Sequence, residues 1–194
     1  MAYQTYTTPA VVCGSWPRNG ADKTFLLFTR ELGMLYATAR SVREERSRQR
    51  YALQECAEVR VSLVRGRSGW RIGSVIDIHH PVLAAANRQQ RIAIVKLIRQ
   101  IRRFLSGEEP AINVYDLLVD ALGYIQASDT DELLLTYVTC VELRILYVLG
   151  YVAPSDVELP ILQQPVASLV TQISAETLEK IQHTIKNAST VSHL

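Results

Sequence analysis

From Thr7 to about His79 the chain sets apolar and polar residues in short runs broken by turn residues, and no helical period is sustained. Pro9 and Cys13-Gly14 bracket one apolar run, Asn19-Gly20 marks a tight turn, and Thr24-Phe25-Leu26-Leu27-Phe28 is a β-rich run bounded by Gly33. Another run covers Met34 to Ala39. Val59, Val61 and Leu63 then alternate with Glu58, Arg60 and Ser62, and Arg65 to Gly69 turns the chain into Trp70, Ile72, Ser74 and Ile76, the pattern of a hairpin. Five short antiparallel strands in this length predict a small closed barrel of the OB-fold kind, in which closure removes the open sheet edges.

His79-His80-Pro81 stops the last strand, and the apolar period changes from two to about 3.6. Ile94, Leu97, Ile98, Ile101, Phe104 and Leu105 share one helical face, flanked by Arg88, Arg91, Lys96, Arg99, Arg102 and Arg103, and Ser106-Gly107 ends that helix. A second helix carries Val114, Leu117, Leu118, Ala121, Leu122 and Ile125 as a stripe. Asp129 with Glu132 reads as a capped start for a third segment, Leu133 to Leu149, apolar on nearly every face and closed by Gly150, so this should be the central buried helix. Pro154, Pro160 and Pro165 mark a linker, Ser174 caps a last helix, and the tail beyond Asn187 is expected to fray. The predicted fold is therefore α+β: a five-stranded antiparallel OB-fold barrel over residues 1–80, then an α-helical bundle over 81–194 with a proline-rich linker at 152–166 and a C-terminal helix.

Charge divides the chain more sharply than its net +2 indicates. Residues 1–110 hold 18 Lys+Arg against 9 Asp+Glu, whereas residues 111–194 hold 3 against 10. One half thus faces a polyanion and the other water or protein. The three cysteines, Cys13, Cys56 and Cys140, are far apart and odd in number, which favours neither a disulfide framework nor a zinc knuckle. Without a signal peptide pattern or an apolar stretch of membrane-spanning length, the chain is expected to be soluble and cytoplasmic.

Arg40, Arg43, Arg46, Arg48 and Arg50 fall within eleven residues between two predicted strands. Guanidinium groups fork phosphate oxygens, stay charged and stack on bases, so this spacing suits a loop that tracks a sugar-phosphate backbone. The competing reading is a solvated loop partly neutralised by Glu44 and Glu45. Arg65, Arg67 and Arg71 at the hairpin, Arg18 with Lys23, and Arg88 with Arg91 are further candidate DNA contacts. Trp16, Tyr36, Tyr51 and Trp70 lie among them and could stack on unpaired bases, although such residues more often fill a barrel core. Catalytic arrangements are missing. Adjacent His79 and His80 would point to opposite faces of a strand, the carboxylates at 129–132 are explained by capping, and no phosphate loop, nucleophile elbow or zinc-protease motif occurs. No catalytic residue, metal site or cofactor is expected.

The stretch Leu27-Phe28-Thr29-Arg30-Glu31-Leu32-Gly33-Met34-Leu35, followed by Ala39-Arg40-Ser41-Val42-Arg43 and Ser47-Arg48-Gln49-Arg50-Tyr51-Ala52-Leu53-Gln54, resembles the N-terminal domain of the RecO family of bacterial repair proteins. The likeness covers roughly residues 7–80 and extends more weakly through Val119 to Pro154, where Glu142-Leu143-Arg144-Ile145-Leu146 precedes Gly150-Tyr151. It implies an OB-fold plus helical bundle that binds single- and double-stranded DNA, anneals complementary strands, and works with a RecR-like protein and the single-strand-binding protein to load RecA. Ser41 stands where the family usually carries glycine, so the turn there is expected to differ if that position needs a positive φ. No cysteines follow Pro154, so the zinc site of many relatives is not carried over.

The leading expectation is a non-enzymatic recombination mediator whose barrel and first helix form one positive face for two single strands. The second is a protein–protein adaptor that works through its helical half. A nucleic-acid-processing enzyme is third, disfavoured by the lack of clustered acids in the basic half.

Overall fold

A computed structural model of the chain describes residues 4–128, 131–157 and 159–191. It forms two compact units, residues 1–84 with 106–115 and residues 85–105 with 116–194. In the first, β1 (Thr5–Pro17), β2 (Lys23–Thr29), β3 (Gly33–Ala39), β4 (Glu58–Gly66) and β5 (Gly69–His79) close a barrel in the order β1-β2-β3-β5-β4. The expected OB-type barrel is thus present, with one difference. β5 meets β3 in parallel, through Ala37 opposite Trp70 and Thr38 opposite Arg71, so the barrel is not wholly antiparallel. The reason is topological: β4 runs antiparallel to β1, and its hairpin partner β5 must then point the same way as β3.

β1 is longer than the run between Pro9 and Cys13 implied. Thr5 to Val11 pair with β4, Ala10 to Pro17 pair with β2, and the register slips between Val12 and Gly14. This bulge bends one strand so that it serves two neighbours. Inward side chains alternate along every strand: Val12, Phe25, Leu27, Leu35, Val61, Leu63, Trp70 and Ile72 fill the interior. A short helix α1 (Arg48–Ala52), flanked by Val42, Leu53 and Ala57 of the same core, lies between β3 and β4. Here the structure departs from an arginine-rich flexible loop, because part of the segment is helical and Gln49 Nε2 donates to the Gly73 carbonyl at 2.9 Å.

After β5 a single helical turn, α2 (Pro81–Ala84), closes the first continuous part of this unit, and residues 106–115 return to it. Met34 N–H donates to the Gly107 carbonyl at 2.9 Å, Arg65 pairs with Glu108 at 3.2 Å, and Phe28 meets the Tyr115 ring edge-on at 5.3 Å. Gly33 sits at φ +70°, and an added Cβ would overlap the Glu109 backbone. Glycine is therefore required there twice, for its left-handed backbone and for the close approach.

The second unit contains α3 (Arg88–Phe104), most of α4 (Ile112–Ala127), α5 (Asp131–Val148), a 3-10 turn (Pro154–Asp156), α6 (Leu159–Gln163), α7 (Val166–Leu169) and α8 (Ala175–Val191). The Asn87 side chain caps α3 by accepting from Gln90 N–H at 2.9 Å. α5 is the buried helix that its composition predicted, packed against α3, α6, α7 and α8. It ends at Gly150, φ +80°, with Tyr151 N–H donating to the Leu146 carbonyl at 2.8 Å, as expected of a left-handed helix end. The proposed cap at Asp129 lies outside the described residues. The proline-rich stretch is not an open linker. Ile161, Val166, Leu169 and Val170 are buried, and Arg144 donates from Nε to the Ile161 carbonyl at 2.7 Å and from a terminal nitrogen to the Gln164 carbonyl. Ser174 caps α8 through Thr177 N–H at 3.1 Å, and the helix continues past Asn187 to Val191 rather than fraying there. No helix among the described residues is long and apolar enough to cross a membrane.

Two charged groups share the α3–α5 contact. Glu142 is 6% exposed and accepts from Lys96 Nζ at 2.7 Å, while Gln100 Nε2 donates to the Glu142 carbonyl at 2.9 Å. Burial pushes the Glu142 carboxyl above its ordinary value of 4.5, against the pull of Lys96.

Two stability predictions follow from these contacts. Gly33→Ala should lower the free energy of unfolding by about 2–4 kcal/mol, combining left-handed strain with overpacking, as read in urea melts. Because the folded carboxyl of Glu142 has the raised pKa, its contribution is fully present below 4.5 and is lost as pH rises through the folded value. Glu142→Gln should therefore gain stability relative to the parent as pH rises from 4.5 through the raised folded value, and a pH-independent difference would contradict this reading.

Candidate nucleic-acid interface

The candidate residues of the barrel gather at two places. The first is the outer surface of β1, β2 and β3 at the end bearing Trp16. Outward positions follow from the register: Trp16 opposes Thr24, Thr24 opposes Thr38, Leu26 opposes Tyr36, and Thr38 opposes Arg71. Trp16 and Tyr36 are 40% and 61% exposed, and their rings lie 5.9 Å apart at a tilt of 48°. Arg18 donates from Nη1 to Thr38 Oγ1 at 2.6 Å, which holds its guanidinium over the same surface. Two exposed rings beside Arg18 and Arg71 make a platform on which bases can stack while cations meet phosphates.

The second place is the barrel end closed by α1. Lys23, Arg43 and Arg50 surround a cavity of about 290 Å³ whose other walls are Phe25, Val42 and Leu53. Arg43 is fixed by two bonds to the preceding turn, its amide donating to the Ala21 carbonyl at 2.9 Å and Nη1 to the Gly20 carbonyl at 3.0 Å. Ser41 adopts φ +49°, so the turn keeps a left-handed backbone without glycine, and its N–H donates to Asp22 Oδ1 at 2.8 Å. That carboxylate compensates the strained conformation by satisfying the amide.

Other candidates are dispersed. Arg40, Arg46 and Arg48 are exposed around the turn and the start of α1, where Tyr51 is 64% exposed. Arg65 is engaged by Glu108 at 3.2 Å and lies 5.1 Å over the Trp70 ring. Trp70 is 5% exposed and packs edge-on against Tyr6 at 5.3 Å, so it fills the core and offers no face to a base. Arg67 and Arg71 are exposed at and after the hairpin turn. Arg88 and Arg91 belong to the second unit, on an α3 that carries six basic residues and no acidic one.

That helix also borders a feature the periodicity did not single out. Ile92, 50% exposed, and Leu135, 57% exposed, line a groove between α3 and α5 with Gln89, Ala93, Leu134 and Val138, and Lys96 stands at its edge. Arg88, Arg91 and Arg99 flank the adjoining hollow. Ile92 falls off the apolar stripe of α3, which was the available signal. Among the described residues no His, Cys, Asp and Glu come together as metal ligands. All three thiols are buried, and burial pushes Cys140 up to about 11, so none is a ready nucleophile.

Comparison with known proteins supports the barrel assignment. The family model for the recombination protein O N terminal matches residues 1–78. The chain is also similar to the DNA repair protein RecO of Pelotomaculum thermopropionicum, 28% identical over 148 residues that make up 75% of this chain and 56% of that protein. It thus spans little more than half the length of that curated relative. Together with the closed barrel, these matches show that residues 1–78 are similar to the N-terminal domain of the RecO family.

Proposed function

We propose that this chain is a DNA-binding mediator of recombinational repair that holds single strands on its barrel, anneals complementary strands and assists RecA loading. The observation that carries the reading is the Trp16–Tyr36 pair set beside Arg18 on an outer barrel face. Strand binding needs a surface that stacks bases of any identity and neutralises phosphates, and that face supplies both. The arginines from Arg40 to Arg50 extend the positive surface toward the α1 end. Annealing follows from physics, because two phosphate backbones repel until cations screen them, and a protein that holds both lowers that barrier. The role is non-enzymatic; strand scission or a Mg²⁺ requirement in purified protein would overturn it. Action at the nucleoid and contact with a RecR-like protein rest on the family alone.

The α3–α5 groove favours an adaptor component within the same role. An apolar floor of Ile92, Leu134, Leu135 and Val138 beside Lys96 and three arginines fits an acidic peptide with an apolar end. The tail of the single-strand-binding protein is the family partner proposed for it.

Labelled single-stranded DNA should bind with an affinity that falls by about 0.7 log units per log unit of salt for each phosphate contacted. Arg40→Glu with Arg46→Glu should weaken binding to all sequences about equally and flatten the salt slope. Trp16→Ala and Tyr36→Ala should each cost about 1–3 kcal/mol on single strands and little on duplex. Unchanged anisotropy titrations with these variants would reject the barrel face as the DNA site. For the groove, Ile92→Asp and Leu135→Asp should reduce binding of an acidic peptide with an apolar C-terminus by about tenfold or more while DNA binding persists.

A further inference from the structure

We infer that the cavity at the α1 end of the barrel is a subsite for one terminal nucleotide, with its phosphate monoester held by Lys23, Arg43 and Arg50. This rests on the DNA-binding reading and names what one part of that surface takes. Three features of the cavity converge on this ligand.

The first is charge. The six lining residues include three cations and no carboxylate, so the cavity is built for a group with more than one negative charge. An internal phosphodiester carries a single charge, whereas a terminal phosphate carries about −1.5 to −2 at neutral pH. The second is preorganisation. Arg43 is anchored through its amide and Nη1 to the carbonyls of Ala21 and Gly20, which fixes one cation at the rim before any ligand arrives. Lys23 begins β2, with its backbone opposite Pro17 and Ala39, and Arg50 rides on α1 above the core residue Leu53. The three cations therefore come from a strand, a turn and a helix.

The third is the floor. Phe25, Val42 and Leu53 are buried core residues, so the inner wall is apolar and suits the flat body of a nucleoside better than a second phosphate. About 290 Å³ sits at the low end of small-molecule sites, which run to roughly 300–1,000 Å³, and is room for a single nucleotide rather than a stacked pair. A protein that brings strands together would gain a register point from gripping one phosphorylated end.

The chemistry could come from a DNA end or from a free mononucleotide, and the experiment separates them. An internally labelled oligothymidylate would be compared with a 5′-phosphate, a 3′-phosphate and no terminal phosphate, using anisotropy with the full chain. In parallel, thymidine monophosphate and thymidine would be titrated and followed by phosphorus and protein NMR. One phosphorylated end should bind about tenfold more tightly than the bare end. Arg50→Ala, at an exposed site on α1, should abolish that difference, as should Lys23→Gln. Thymidine monophosphate should perturb the Val42 and Leu53 methyl signals and thymidine should not; the mononucleotide effect without an end preference would make the free nucleotide the ligand and overturn the strand-end assignment. Tight strand binding with neither effect would overturn the subsite and leave the DNA-binding proposal standing. Loss of all strand binding with the mononucleotide response intact would overturn the DNA-binding proposal and with it the strand-end role.

Discussion

Closure of the five-stranded barrel is the constraint on which the rest of the first unit depends. Once β4 returns to β1, every inward side chain is committed to the core. Phe25, Leu27, Leu35, Leu63 and Trp70 fill it, and burial of each such side chain stabilises the fold by about 1.5–3 kcal/mol. Chemistry is then confined to outward positions and to the barrel ends. The two-residue period of the strands decides which residues those are: it turns Trp16, Tyr36 and Arg71 outward while Phe25, Ala37 and Trp70 point in. A slip of one residue would exchange the two sets and remove the platform.

Much of this was legible in the sequence because the relevant signals are local. The alternation of Val59, Val61 and Leu63, the Gly-bounded hairpin and the change of period after Pro81 each depend on a few neighbouring residues, and each became the expected element. Trp70 shows where local reading stops. It shares composition and surroundings with Trp16, yet one is core and the other surface, because only the closing β3–β5 ladder decides which face it takes. The same limit applied to the parallel ladder itself, which no local pattern encodes. It applied to the cavity under α1, whose apolar wall read as ordinary core, and to the α3–α5 groove, which exists only once two distant helices meet.

In the second unit the dominant element is α5, and its composition announced it. A helix buried against four others has few faces left for polar groups, so each one present needs a partner. Glu142 finds Lys96, Thr139 bonds back to the Leu135 carbonyl at 2.8 Å, and Arg144 reaches the carbonyls of the α6 turn. The prolines at 154, 160 and 165 looked like a linker because they forbid a long helix. What they permit instead is a series of short turns whose Ile161, Val166 and Leu169 still reach the core.

The return of residues 106–115 to the barrel bears on how the chain is made. All five strands are synthesised before α3, and the segment that caps Met34, crowds Gly33 and faces Phe28 comes only afterwards. Contacts between residues so far apart in sequence form late, since a long loop must close before they contribute. During synthesis the nascent barrel therefore spends a period with Phe28 lacking its Tyr115 partner, a window in which a chaperone, or a second unfinished copy, meets an aromatic ring that the finished protein buries.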